Sequence, residues 1–452
     1  MPVFDHKDTI AAISTPPGVG GISVIRLSGE KARDISLLGL EIDNLEPRYA
    51  HFTKVVDADK QEIIDDVVVI WFKAPASYTG DDTVEISCHG GYAAAPAILE
   101  LYFRLGARPA LPGEFTRRAF LNGKIDLLQA EAVADLIHAV SDSGKKLATR
   151  TLEGRLSEKV AMLRHELTDI ASILELELDF VEQEINTLDH YEVLVKIQKA
   201  KDHLLALHHS YSGGKILREG ALVTIAGRPN AGKSSVLNAL LAEERAIISH
   251  IPGTTRDTIE ELFVHDGVVF RLVDTAGLRD TVDPVEKIGA DRARASLFDS
   301  DLILLVIDPS ENNLSFEKEF LLKYNNKDII VVYNKSDLGM NVQPIACEHS
   351  VSISALKRTG ILDLAELMAK IIKENHQLGG ETIAITRQRH KLALQNSLSA
   401  LERTEEALQN NLSNEFLAID IREAISALDD ITGLTTSQDV LNHIFDQFCI
   451  GK

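Results

Sequence analysis

The run Gly227-Arg228-Pro229-Asn230-Ala231-Gly232-Lys233-Ser234 restricts this chain more than any other stretch. It reads GxxxxGK[ST], follows the apolar strand Leu222-Val223-Thr224-Ile225-Ala226, and opens a helical pattern. Glycines let backbone N–H groups converge on an anion, and a helix starting at Lys233 turns its positive end to the same point. Lys233 is placed to reach the β- and γ-phosphates of a nucleoside triphosphate and to act in catalysis, and the Ser234 hydroxyl to bind Mg2+. Asn230, Ala231, Gly232, Lys233, Ser234 and Ser235 are the candidate nucleotide contacts of this loop. By itself the loop leaves ATP and GTP equally open.

The elements downstream choose between them. Leu272-Val273-Asp274-Thr275-Ala276-Gly277 is a strand ending in DxxG. Asp274 would hold Mg2+ through water, and the Gly277 N–H would sense the γ-phosphate, with Thr275 and Ala276 between them. Gly253-Thr254-Thr255-Arg256-Asp257 suits a first switch segment. Thr255 is assigned the second Mg2+ hydroxyl, although the residues do not separate Thr254 from Thr255. The strand run Ile329-Ile330-Val331-Val332-Tyr333 leads to Asn334-Lys335-Ser336-Asp337, an NKxD element. A carboxylate at Asp337 can accept from guanine N1–H and N2–H2. Adenine lacks those donors and would leave a buried charge unpaired. Ser352-Ile353-Ser354-Ala355 then supplies an N–H for guanine O6, with Ser354 and Ala355 as contacts. Four motifs in this order predict a Ras-like GTPase rather than an ATPase.

The glutamine that commonly follows DxxG and orients the attacking water is missing, because Leu278 and Arg279 follow Gly277. Arg256 and Arg279 are candidates for neutralising charge, and a surface salt bridge suits them equally. Alternatively, the Asn230 side chain and backbone carbonyls of Ser249-His250-Ile251 could cage a monovalent cation beside the phosphates. Asparagine in a loop is also a common turn former, so both readings stand.

Around this module the pattern differs. From Thr9 to about Asn122 short apolar runs such as Gly21–Leu27 and Val67–Phe72 alternate with Gly and Pro turns, predicting a mixed α/β domain over 1–122. From Ile125 to about Ser212 apolar residues recur at helical spacing, as in Leu163, Leu167, Ile170 and Leu174, and the prolines vanish. Helical spacing returns after Gly379-Gly380, with Leu392, Leu398, Leu401 and Leu408 and then Ile421, Ile425 and Leu428. Against the alternative of two independent helical domains, one helical domain in two segments, 123–214 and 381–452, with the GTPase module 215–380 inserted between them, is the economical reading. Gly213-Gly214 and Gly379-Gly380 would be its flexible joints. The net charge of −21 disfavours indiscriminate nucleic-acid or membrane binding while leaving room for a local RNA-binding patch. Three scattered cysteines, no signal-like N-terminus and no apolar run near the ~20 residues of a membrane span predict a cytoplasmic protein.

Leu111-Pro112-Gly113-Glu114-Phe115-Thr116-Arg117-Arg118-Ala119-Phe120-Leu121-Asn122-Gly123-Lys124, then Gln129-Ala130-Glu131-Ala132, and the terminal Cys449-Ile450-Gly451-Lys452 resemble the signatures of the MnmE (TrmE) family of bacterial tRNA-modifying GTPases. The resemblance runs through the whole chain. It implies a homodimer held by the N-terminal domain, working in a heterotetramer with an FAD-dependent partner of the MnmG (GidA) type. The reaction implied adds a carboxymethylaminomethyl-type group to C5 of wobble uridine 34 in certain tRNAs. A tetrahydrofolate derivative (5,10-methylene or 5-formyl) is the implied one-carbon source, and Arg26, Glu85, Lys124 and Lys452 match the family's folate contacts. The resemblance also implies K+ activation, with Asn230, Ser249, Ile251 and Thr254 as ligands in a loop that takes in His250, Pro252 and Gly253. Pro252 stands where many relatives carry a smaller residue and would stiffen that loop. Glu286 matches the family's catalytic glutamate, acting through water, and Cys449 is associated with the modification reaction. The runner-up is a ribosome-assembly GTPase of the Era or Der type, which would call for a KH-like appendage or a second P-loop. The sequence carries neither.

Overall fold

Two patterns of apolar residues build two different sheets. A computed structural model describes residues 8–180, 190–243, 261–274, 295–311, 313–339, 343–376, 378, 383–410 and 412–452. The chain divides into two units, one running to Ala134 and taking in Ile425–Lys452, the other Asp135–Ala424.

In the first unit the strands alternate, so each has a core face and an open face. They are β1 (Ile10–Ile13), β2 (Ile22–Ser28), β3 (Ala50–Asp57), β4 (Glu62–Phe72), β5 (Thr83–His89) and β6 (Arg108–Pro109), in the order β3-β4-β5-β2-β1-β6. Ile25, Leu27, Val67, Val69, Val84 and Ile86 are buried in one cluster with Ile98, Leu101 and Tyr102 of the helix Ala94–Arg104. Arg26 and Glu85 are cross-strand partners on the opposite face.

The Leu111–Lys124 signature owes much of its charge to architecture. Glu114, wholly buried, accepts from Arg108 Nη2 (2.7 Å), the Leu111 N–H (2.8 Å) and Arg118 Nη2 (3.2 Å). Burial pushes its carboxyl up, but the Arg108 and Leu111 hydrogen bonds and the two guanidinium charges outweigh it and hold it below the usual glutamate range. The chain end returns to this unit. Leu441, Ile444, Phe445 and Phe448 pack with Leu127 and Ala130, and Ser14 Oγ donates to the Gly451 carbonyl (3.0 Å).

In the second unit the sheet is covered on both faces, and its central strands Ala221–Ala226, Leu302–Ile307 and Ile329–Tyr333 are accordingly near-continuous apolar runs. The strands are β7 (Ala221–Ala226), β8 (Glu261–His265), β9 (Val268–Asp274), β10 (Leu302–Ile307), β11 (Ile329–Tyr333) and β12 (His349–Ser352), ordered β12-β11-β10-β7-β9-β8. All neighbours are parallel except β8, which pairs antiparallel with β9. One face packs on the helices Lys233–Glu243 and Ile361–Asn375, the other around Leu297, Phe320 and Tyr333. The helices Arg155–Phe180, His190–His209 and Gln388–Gln409 share this unit. Leu163, Leu167, Ile170 and Leu174 are buried as their spacing predicts. Lys201 Nζ donates to Glu405 Oε2 (2.6 Å), and His203 Nδ1 meets Glu166 Oε2 (3.0 Å).

Two expectations change here. Gly213 and Gly214 are not a loose joint but buried residues inside the helix Tyr211–Glu219. A Cβ on Gly213 would overlap the His376 carbonyl, and one on Gly214 the Ile385 carbonyl, so glycine serves close backbone approach there. Gly379 and Gly380 lie outside the described residues. Leu392 is 48% exposed, and the buried stripe is instead Leu394, Leu398, Leu401 and Leu408. A residue two positions before Leu394 points roughly to the other side of a helix.

Candidate functional site

The glycine-rich loop leaves the C-terminal end of β7, which lies between β10 and β9, where the strand order reverses direction. Open parallel sheets leave a crevice for ligands at that point. Gly227 (φ 143°) and Gly232 (φ 93°) have backbones that side chains rarely adopt. A Cβ would overlap the Val306 carbonyl at the first and Asn334 Nδ2 at the second. Asn230 adopts a left-handed φ of 65° without being glycine, a cost that recurs at functional loops. Lys233 begins the helix Lys233–Glu243, and its ammonium donates back to the carbonyls of Gly227 (3.1 Å) and Arg228 (3.0 Å). Ser234 and Ser235 follow on the exposed side of the first turn.

The NKxD element buttresses this loop. Asn334, 2% exposed, donates to the Ala231 carbonyl (3.0 Å) and accepts the Ala355 N–H (3.1 Å), bridging the phosphate loop and the loop after β12. Lys335 donates to the Asn230 carbonyl (3.0 Å) and to Asp308 Oδ2 (2.6 Å). Asp337 is oriented by the Ser354 hydroxyl (2.6 Å). That hydrogen bond, against some burial, holds its carboxyl below the usual aspartate range, so it is ionised and acceptor-only at neutral pH. Sequence reasoning names Ser354 and Ala355 but misses Asp308, the counter-charge of Lys335. Its only signal is its place, at the end of the buried run Leu302–Ile307.

Asp274 closes β9, and its backbone pairs in register with Ile225, one strand from the loop that carries Ser234. Ser249, His250, Ile251, Pro252, Gly253, Thr254, Thr255, Thr275, Ala276, Gly277 and Glu286 lie outside the described residues, as do Arg256 and Arg279. Among the described residues no group of three His, Cys, Asp or Glu side chains is gathered to hold a metal ion, and no helix is long and apolar enough to cross a membrane.

In the first unit Arg26 and Glu85 come together with the chain end. Arg26 Nε donates to Glu85 Oε1 (2.9 Å), its Nη1 reaches the Gly451 carbonyl (3.5 Å), and its guanidinium lies 5.5 Å from the Tyr78 ring and 5.6 Å from that of Phe115. The Phe115 N–H donates to the Lys452 carbonyl (3.3 Å). Lys124 is exposed and donates to the Pro75 carbonyl (3.0 Å). The Cys449 thiol is exposed, and its carbonyl accepts the N–H of Lys452 (3.3 Å).

A glycine-rich loop at a sheet's switch point, opening a helix at its lysine and backed by an NKxD element, is the arrangement of P-loop GTPases. By fold and site the chain is a P-loop GTPase. Its sequence carries the assignment further. Residues 9–124 match the family model of the GTP-binding protein TrmE N-terminus, and residues 127–449 that of the MnmE helical domain. The chain is 42% identical to the tRNA modification GTPase MnmE of Natranaerobius thermophilus, over 99% of this chain and 100% of that one. It is 43% identical to the Aquifex aeolicus protein of the same name, again over 99% of this chain and 100% of that one. The chain belongs to the MnmE family of tRNA modification GTPases. Among solved structures it is similar to Aquifex aeolicus Era bound to GDP.AlF4-, at 30% identity over 40% of this chain and 66% of that one. The TM-score there is 0.28.

Proposed function

We propose that this chain hydrolyses GTP in the course of modifying tRNA, and that Asp337 is the residue that admits guanine. The observation that carries the base reading is the Ser354–Asp337 hydrogen bond, set behind a loop that Asn334 and Lys335 hold by its carbonyls. Guanine N1–H and N2–H2 can both be accepted by that carboxylate. The loop amides and the end of the helix at Lys233 receive the phosphates, and Lys233 bears on the charge between the β- and γ-phosphates. Mg2+ would be held by Ser234, by Thr255 and, through water, by Asp274, and it would neutralise charge on the phosphates. K+ would be held by Asn230, Ser249, Ile251 and Thr254, and Glu286 would orient the attacking water.

The Asp337→Asn variant tests this. Its expected behaviour is weaker GTP binding, with the preference for xanthine over guanine nucleotides raised at least about tenfold, since an amide accepts one fewer proton and offers donors in its place. An unchanged preference in a competition assay would overturn the guanine-reader role.

The wider reading follows the family. The substrate is tRNA, modified at C5 of wobble uridine 34 with a carboxymethylaminomethyl-type group, in the cytoplasm, by a homodimer joined to an FAD-dependent partner of the MnmG type. A tetrahydrofolate derivative would be taken by Arg26, Glu85, Lys124 and Lys452. A guanidinium beside a carboxylate, with the Tyr78 and Phe115 rings next to it, suits a ligand that is aromatic and polar at once. Cys449 takes part in the modification. The segments 123–214 and 381–452 form one helical domain around the inserted GTPase module 215–380, a division supported by the Lys201–Glu405 ion pair between the two segments.

A further inference from the structure

We propose that Glu317, outside every nucleotide-binding motif, is a positioning residue for GTP turnover that acts by pinning Arg228 and with it the phosphate-binding loop. Arg228 is the second residue of the loop, and its carbonyl is one of the two that take the Lys233 ammonium. Its side chain runs to the helix Ser315–Lys323. There Nη2 donates to Glu317 Oε2 (3.3 Å) and Nε lies 2.8 Å from Oε1, a close ion pair with one hydrogen bond. The guanidinium sits 5.7 Å from the centre of the Phe316 ring, and the more exposed Glu311 lies 3.7 Å from Nη1.

Glu317 is only 2% exposed. A carboxylate that deep is tolerated in the folded chain because it is paired, and moving the guanidinium away would leave it uncompensated. Arg228 therefore cannot shift without a large cost, and the carbonyl that holds Lys233 is fixed through the same residue. Among the described residues, the tethers from Asn334 to Ala231 and from Lys335 to Asn230 come from the element that reads the base. Glu317 sets the loop independently of base recognition. Its loss is therefore expected to separate phosphate chemistry from guanine selectivity.

The inference rests on the GTPase reading, and its test keeps the two apart. In the full-length chain, Glu317→Gln is compared with the double variant Arg228→Met with Glu317→Leu. The latter replaces the buried pair by apolar side chains of similar reach and retains a fold that a lone unpaired arginine could lose. Steady-state GTP hydrolysis, guanine-over-xanthine preference and melting temperature are measured for each. We expect kcat/KM for GTP to fall about tenfold in both variants, mostly through kcat, because a displaced Lys233 loses charge stabilisation specific to the transition state. The base preference is expected to hold within about twofold, which a general loosening of the module would not allow. Wild-type kcat in the folded double variant overturns the proposal, and so does a loss that appears equally in base preference. A wild-type chain that fails to hydrolyse GTP would remove the reading beneath it as well.

Discussion

At the residue scale the charged side chains divide by what they face. Lys335 meets the glycine-rich loop and Asp337 the Ser354 hydroxyl, whereas Glu114, in the most conspicuous signature of the chain, is surrounded by its own arginines and by backbone. Glu114→Gln leaves Arg108 and the buried Arg118 with one charge too few opposite them. Breaking such a pair costs about 3 kcal/mol, to be seen as a loss of stability in denaturant unfolding. The pH dependence has a definite sign. The folded carboxyl is held below its ordinary value of 4.5, so its stabilisation is complete above that value and is lost as the pH falls through the lower folded one. Acid unfolding of Glu114→Gln should accordingly be less steep in that window than that of the parent, and identical acid profiles would refute the assignment.

At the element scale the phosphate loop shows how strand, loop and helix divide the work. The strand β7 is wholly buried in its last four residues because the sheet is covered on both faces, and its end is thereby fixed at the crevice. The two glycines fit where any Cβ would collide. Asn230, exposed at the crest of the loop with φ 65°, has its carbonyl held by Lys335, so its side chain is not needed to keep the turn. Its side-chain carbonyl oxygen would then be open to a monovalent cation beside the phosphates of a bound nucleotide. We expect GTP turnover to be faster in K+ than in Na+ by on the order of tenfold or more, as charge placed near the transferring phosphoryl group would do. Equal rates in the two salts at matched ionic strength would remove Asn230 from that role.

At the scale of the whole molecule the first and last segments of the chain share one unit. Gly451 has a φ of 94°, and a Cβ there would overlap the Ile13 carbonyl at the end of β1. Its own carbonyl accepts from Ser14 and is reached by Arg26. Gly451→Ala is thus expected to cost the first unit about 1–3 kcal/mol through strain and lost docking. Its melting should move to lower temperature while single-turnover GTP hydrolysis, which belongs to the other unit, stays within about twofold. A variant that melts like the parent would show that the chain end does not close the fold.

Motifs whose chemistry is contained in one short stretch of chain are legible in the sequence by itself. The run Ile329–Tyr333 is β11 itself, Leu222–Ala226 is all but the first residue of β7, and NKxD follows its strand directly, because apolar runs and loop chemistry are local properties. The helical stripe at Leu163–Leu174 is readable for the same reason. Tertiary structure alone decides that Glu317 answers Arg228, that Asp308 answers Lys335, and that Gly213 and Gly214 serve close packing rather than flexibility. A charge or a glycine states what it needs, a counter-ion or a missing Cβ. Which of many distant residues meets that need depends on where the chain returns, and spacing along the sequence carries no record of that.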